Sequence, residues 1–327
     1  MYPGSDLSSK PGKSQLTAIH RTRIAPTPSG YLHLGNVLSF ALTATLALQQ
    51  QASILLRIDD LDRQRMRPEY VQDIFDTLDY LGIPWQEGPR DPRQFEQEYS
   101  QLHRMELYRN MLDQLRAEGQ LFACSCSRAS LALSGGEGYG GTCLDKHLPL
   151  DMPGTCWRLR TPADARLQVK TGSGMLDAAL PPEQRYFIVR KKDGFPSYQL
   201  ASLADDHYFG IDLVVRGADL WPSTLVQLCL ARATGLDSFS RSTFYHHALL
   251  SGPSGEKLSK SAGDTSLRHL RREGRKPSEI YTLIAARAGI PVPVTGWQEL
   301  GALLLERLEE AGPPAGTIGS HSKGMFH

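Results

Sequence analysis

Between Arg23 and Leu81 short apolar runs alternate with stretches of helical periodicity, and few folds accommodate that order. Arg23-Ile24-Ala25 ends a short strand, and Pro26, Pro28 and Gly30 enforce a loop after it. Leu34 to Gln49 follows with helical spacing. Ile54-Leu55-Leu56-Arg57-Ile58 is the kind of apolar run that a strand buried on both faces shows. Pro68 to Leu81 again reads as a helix, with proline at its start and Gly82 just past its end. Strand, helix, strand, helix predicts an α/β fold built on a Rossmann-like, doubly wound parallel sheet.

From about Glu96 the pattern changes. Leu102, Met105, Tyr108, Leu112 and Leu115 recur at helical spacing and predict one long amphipathic helix ending near Gly119. Clustered cysteines and a Gly-rich segment come next, then strand-like Cys156–Arg160 and Tyr186–Arg190. The alternation resumes with Asp212–Arg216, a helix over Thr224–Ala233 and a strand over Phe244–Leu250. The turn cluster Gly252-Pro253-Ser254-Gly255 leads into a helical, partly basic remainder. The expected organisation is a loose tail over 1–20, a first half-domain over 21–95, and an insertion over 96–190. The second half-domain follows over 191–250, a basic loop and helical region over 251–312, and a loose tail over 313–327.

Charge narrows the partners. Lys+Arg 36 against Asp+Glu 35 leaves +1, so any nucleic-acid contact must come from a local patch such as Arg268 to Lys276. Five cysteines are too few, and too odd a number, for a disulfide framework. The N-terminal MYPGSDLSSKPGKSQ has no apolar core of a signal peptide. The most apolar stretch, Val37 to Leu56, is interrupted by Gln49, Gln50 and Gln51 and falls short of the ~20 residues of a membrane span. A cytoplasmic chain without a membrane partner is expected.

Two segments point to nucleotide chemistry. Pro26-Thr27-Pro28-Ser29-Gly30-Tyr31-Leu32-His33-Leu34-Gly35-Asn36 sits between the first strand and first helix, where a helix N-terminus offers unpaired N–H groups to phosphate. Gly35 lets the backbone approach a ligand closely, and His33 can donate to a phosphate oxygen. Lys257-Leu258-Ser259-Lys260-Ser261 lies in a loop after a strand, where two lysines can follow charge as it shifts during nucleotidyl transfer. A third cluster, Cys124, Cys126 and Cys143, offers soft thiolates at close spacing that suit Zn²⁺ and leaves one tetrahedral place open. The spacing favours a metal over three free thiols, and His147 is one candidate for the open place. Cys156 and Cys229 read as packing.

The paired motifs, in this order, resemble the HIGH and KMSKS motifs of the class I aminoacyl-tRNA synthetases. The strings from Arg23 to Gly35, from Arg57 to Arg63 and from Val215 to Leu220 look like the glutamyl subgroup. The resemblance implies ATP binding at His33, Gly35, Asn36, Lys257 and Lys260, with all but Gly35 also catalytic, and Mg²⁺ arriving with ATP. It implies a glutamate pocket of Arg23, Ala25, Thr27, Asp59, Tyr198 and Arg216. Asp59 falls where the family usually has Glu, one methylene longer. It also implies that Tyr139 completes a structural zinc site, since shortened relatives show Cys-x-Cys followed by Tyr-x-x-x-Cys.

Few residues follow Ser261, so no anticodon-reading region is expected, and the chain resembles the truncated glutamyl-queuosine tRNA(Asp) synthetases. That implies L-glutamate, ATP and a queuosine-bearing tRNA(Asp) as partners of a monomeric enzyme. Two alternatives remain: an inactive paralogue that binds RNA or protein, and a small-molecule nucleotidyltransferase. Glutamate-dependent ATP–pyrophosphate exchange separates both from the first reading.

Overall fold

The computed structural model describes residues 19–127, 138–250 and 266–311. Strand β1 (Arg21–Ile24) runs into helix α1 (Leu34–Gln50), which returns to β2 (Ser53–Leu56) parallel to β1, with Arg21 opposite Ser53. Helix α2 (Pro68–Leu81) ends at Gly82, whose φ of 63° is the left-handed turn the sequence anticipates there. The expected long helix from Glu96 is shorter: regular helix α3 covers Met105–Ala117. The turns before it break at Ser100, which takes an extended ψ of 141°, caps the next turn through Leu102 N, and donates its hydroxyl to buried Asp60.

Strands β3 (Leu121–Cys124), β4 (Cys156–Leu159) and β7 (Ile188–Arg190) form a small antiparallel sheet in the order β3-β4-β7. Between β4 and β7 lies a hairpin of β5 (Arg166–Thr171) and β6 (Gly174–Ala179). Helix α4 (Tyr198–Tyr208) starts on the Ser197 cap, and β8 (Leu213–Gly217), α5 (Trp221–Ala233) and β9 (Thr243–His247) follow. Helices α6 (Leu267–Arg272), α7 (Pro277–Arg287) and α8 (Trp297–Ala311) complete the described chain.

The main sheet has the order β2-β1-β8-β9-β5-β6 and is parallel except for β6. The hairpin falls within 96–190, the stretch expected as an insertion, yet β5 docks on β9 and extends this sheet. Leu167 and Val169 are buried while Arg166 and Gln168 face out, so one side of β5 must find apolar cover, and it packs in the cluster of Leu225, Val226 and Phe244.

Pleating divides the core in two. Ile54 and Leu56 of β2 face a cluster with α1, α2, α7 and α8, while Leu55 between them faces α3, α4 and α5. Helices thus cover both faces of the sheet, as a doubly wound fold requires. Helix α8 lies on α1 and buries Leu300, Leu304 and Leu305, each adding about 1.5–3 kcal/mol of burial. A Cβ at Gly301 would run into the Thr45 side chain, so glycine sets how close these two helices come. No helix among the described residues is long and apolar enough to cross a membrane.

Candidate active site and metal centre

Strands β1 and β8 are neighbours in the sheet although nearly 200 positions apart in sequence (about 190, Thr22 opposite Leu213). Their carboxyl ends and the start of α1 bound a cleft of about 1320 Å³, the place where a doubly wound sheet binds ligands. Arg23, Ala25 and Thr27 reach it from β1 and the following loop. His33, Gly35 and Asn36 reach it from the start of α1, and Tyr198 and Arg216 from α4 and β8. Eight of the nine described residues read from the sequence for this site therefore share one cavity, Asp59 being the ninth. Lys257 and Lys260 lie outside the described residues. Leu250 and Ser266, which flank 251–265, both line the cleft.

The nucleotide motif is held by a capping box. His33 Nδ1 accepts from Gly35 N at 3.1 Å, and His33 N donates to Asn36 Oδ1 at 3.0 Å. A ring that accepts at Nδ1 carries its proton on Nε2, so His33 is a hydrogen-bond donor there. The chain after the second motif is tied to the first: Leu267 N donates to Leu32 O at 2.8 Å, and His33 bridges Ser266.

The arginines in and behind the pocket differ in their partners. Arg23, 5% exposed, donates from Nε to Asp206 Oδ1 at 3.0 Å. Arg57 donates to both oxygens of Asp59, at 2.7 and 3.0 Å, and to Asp206 Oδ1 at 2.6 Å. Arg104 grips Asp205 at 2.7 and 3.0 Å. Burial works against the charge of Arg57, but the carboxylates of Asp59, Asp206 and Asp205 outweigh it and hold Arg57 well above its ordinary value. Burial pushes Asp59 up, further than Arg57 brings it down.

Asp59, expected in the glutamate pocket, is thus absent from the cleft lining. Its short side chain is closed onto Arg57, so it reaches the pocket only through the Arg57–Asp206–Arg23 chain. Asp205 and Asp206 were not singled out in the sequence. Adjacent aspartates on an amphipathic helix were the available signal, since a buried face seldom carries two.

Arg216 is the exception. It is 4% exposed, yet Nη1 donates to Gln227 Oε1 at 2.9 Å and Nη2 to Thr224 Oγ1 at 2.6 Å, both neutral, and Nε has no partner. No carboxylate lies within ion-pair distance of it among the described residues. Burial, and secondarily the charge of Arg23, lower its pKa to about 10, against opposing pulls from Tyr198 and from the more distant Asp206 carboxylate, which Arg23 and Arg57 already hold. A buried cation without an ion-pair partner costs several kcal/mol until one arrives.

The basic segment from Arg268 to Lys276 divides. Arg271 pairs with Asp73 and Asp76, and Arg275 with Glu279. Arg268 lies over the Tyr31 ring at 4.4 Å and, with Arg272, lines the cleft.

The cysteine cluster assembles at the end of β3. The sulfurs of Cys124, Cys126 and Cys143 all lie within 4.8 Å of one another, and Cys126 and Cys143 are 3.5 Å apart. Burial opposes ionisation of Cys143, but hydrogen bonds from Ser125 N, the Cys126 thiol and Tyr139 bring it down to about 7. Burial likewise opposes ionisation of Cys124, and Tyr139 and Arg158 outweigh it. Burial and the neighbouring thiols push Cys126 up to about 11.

Tyr139 accepts from Cys143 N at 2.7 Å and lies under Arg158, 3.7 Å from its ring centre. His147 is exposed and outside the thiol group. Three converging thiols, two of them eased toward thiolate, are a donor set that fits Zn²⁺. Cys156 and Cys229 are buried in β4 and α5, as their packing role requires, and none of the five cysteines is in a disulfide.

The profile described as "tRNA synthetases class I (E and Q), catalytic domain" matches residues 20–139 and 157–300. The chain belongs to this family of class I aminoacyl-tRNA synthetase ligases. It is 37% identical to the Glutamyl-Q tRNA(Asp) synthetase of Symbiobacterium thermophilum, covering 92% of this chain and 98% of that protein. It is 33% identical to the glutamate–tRNA ligase of Dehalococcoides mccartyi, covering 81% of this chain but 55% of that one. The crystal structure of a glutamate–tRNA synthetase from Elizabethkingia anophelis shares the fold, with a TM-score of 0.68 at 23% identity over 86% of this chain and 65% of that one.

Proposed function

We propose that the cleft activates L-glutamate with ATP and that the glutamyl group passes to the queuosine base at the wobble position of tRNA(Asp). The observation that carries the amino-acid part is Arg216, a buried guanidinium opening on the cleft with no anion of its own. A substrate carboxylate supplies the missing charge, and a guanidinium fork is shaped to bind one. Arg23 and Tyr198 flank the same space, and Ala25 and Thr27 offer the loop that follows β1.

Within this reading, a glutamate carboxylate oxygen attacks the α-phosphorus of ATP. The bond to the pyrophosphate oxygen breaks, leaving glutamyl-adenylate and pyrophosphate. His33 through Nε2, Asn36, Lys257 and Lys260 stabilise the phosphate charge, Gly35 lets the backbone come close to the nucleotide, and Mg²⁺ arrives as part of the nucleotide substrate. A queuosine hydroxyl then attacks the mixed anhydride and releases AMP, forming an ester. Cys124, Cys126, Cys143 and Tyr139 would hold a structural Zn²⁺ that supplies no step of this chemistry. The acceptor rests on the likeness to three proteins called Glutamyl-Q tRNA(Asp) synthetase, between 35% and 37% identical.

The test incubates the chain with labelled glutamate, ATP and tRNA(Asp), with and without queuosine. Label is expected only with queuosine and is lost under mild alkali, as an ester is. Transfer to unmodified tRNA(Glu) would sink the acceptor assignment. Lys260→Ala is expected to slow glutamate-dependent ATP–pyrophosphate exchange on the order of 10²-fold or more while glutamate still binds.

A further inference from the structure

Thr224 and Gln227 stand three positions apart on α5, so one face of that helix presents both to Arg216 on β8. They are 0% and 1% exposed, which places the whole contact out of water. The neighbouring buried arginines are all held by aspartates: Arg23 by Asp206, Arg57 by Asp59 and Asp206, and Arg104 by Asp205. Arg216 alone in this neighbourhood is held by a hydroxyl and a carboxamide.

The choice at 227 is not forced by hydrogen bonding. Gln227 Oε1 accepts from Arg216, whereas its buried Nε2 has no partner. A carboxylate of the same shape would lose no hydrogen bond there and would gain an ion pair. An internal anion, however, would occupy the charge that faces the cleft.

We propose that Gln227 is a positioning residue that sets the carboxylate specificity of the cleft: its neutral oxygen fixes the Arg216 fork and leaves the guanidinium charge for the substrate. This rests on the reading of the cleft as a glutamate site. Thr224 holds the other arm and is itself hydrogen-bonded to His246 Nε2 at 2.7 Å, so the fork cannot turn to seek another partner.

The experiment compares Gln227→Glu with Gln227→Met in ATP–pyrophosphate exchange, alongside thermal melting. Gln227→Glu is expected to raise the glutamate KM on the order of 100-fold, the weight of one charge-assisted bond. Its ATP KM stays within about 3-fold and its melting temperature is equal or higher, because the new carboxylate pairs with Arg216. Gln227→Met loses the hold and keeps the charge, and its glutamate KM rises about 10-fold or less.

A glutamate KM for Gln227→Glu within about 3-fold of wild type overturns the proposal, as does a Gln227→Met variant at least as impaired as Gln227→Glu. Should Gln227→Glu fail to fold, the proposal falls, since its premise is a satisfied buried pair. Wild-type exchange with aspartate and not glutamate would sink the glutamate reading alone, and the same comparison is then decided on the aspartate KM. If neither acid supports exchange or binds by calorimetry, both readings fall.

Discussion

Arg57 donates from Nε and Nη2 to the two carboxylate oxygens of Asp59, at 2.7 and 3.0 Å, closing a bidentate pair between side chains two positions apart. Both are buried, and the pair stands directly behind the arginine that lines the cleft, through Asp206.

Removing Asp59 leaves part of the buried Arg57 charge, and two of its donors, without their partner. Asp59→Ala is expected to lower the unfolding free energy by about 3 kcal/mol, read as the shift in chemical denaturation midpoint at unchanged slope. A loss under about 1 kcal/mol would mean that Asp206 and Asp205 together satisfy Arg57.

Zinc should be countable. One Zn²⁺ per chain is expected by elemental analysis, and Cys124→Ser or Cys143→Ser should remove it and lower the melting temperature. Tyr139→Phe should weaken retention against a chelator while His147→Ala should not. Equal retention by those two variants would take the fourth place away from Tyr139.

His246 gives stability a pH signature. Burial first, then the charge of Arg216, lower its pKa from 6.5 to about 3. The unfolded chain therefore takes up a proton near 6.5 that the native state refuses until about 3. This contribution is present above 6.5 and is lost as pH falls through that window. The denaturation midpoint of His246→Gln should fall less over that range than that of the wild type, and parallel curves would refute the assignment.

Gly301→Ala should destabilise by about 1–3 kcal/mol, although alanine is the better helix former, because the added methyl meets Thr45 across the α1–α8 contact. A melting temperature at or above wild type would show that the helices can separate at no cost.

How legible the molecule is in its sequence depends on distance along the chain. Helices α1 and α2 and strands β1, β2 and β8 follow from local spacing, because each carries its apolar pattern and its end signals within itself. The cleft was legible because its parts are motif residues: Arg23, His33 and Asn36 are close in sequence, and Tyr198 and Arg216 fall in strings of recognisable type.

Other features were not local. Nothing in Arg57 announces Asp206, which lies 149 positions away, nor does β5 announce β9. Its polar side, Arg166 and Gln168, resembles any half-exposed strand, so its place in the main sheet is settled by tertiary packing. Asp59 was read by its position in a motif, while its geometry was decided by an arginine two residues before it.

The order of the main sheet has a consequence for synthesis on the ribosome. Strands β1 and β2 can pair as soon as both have emerged, but the β5–β6 hairpin docks on β9, and the chain must be made from Ala179 to Thr243 before that strand exists. At translation rates of about 5–20 residues per second, the hairpin waits for seconds with Leu167 and Val169 uncovered. For that interval the nascent chain presents a sticky edge to whatever holds it, and the last strand to emerge determines when the catalytic half becomes safe from aggregation.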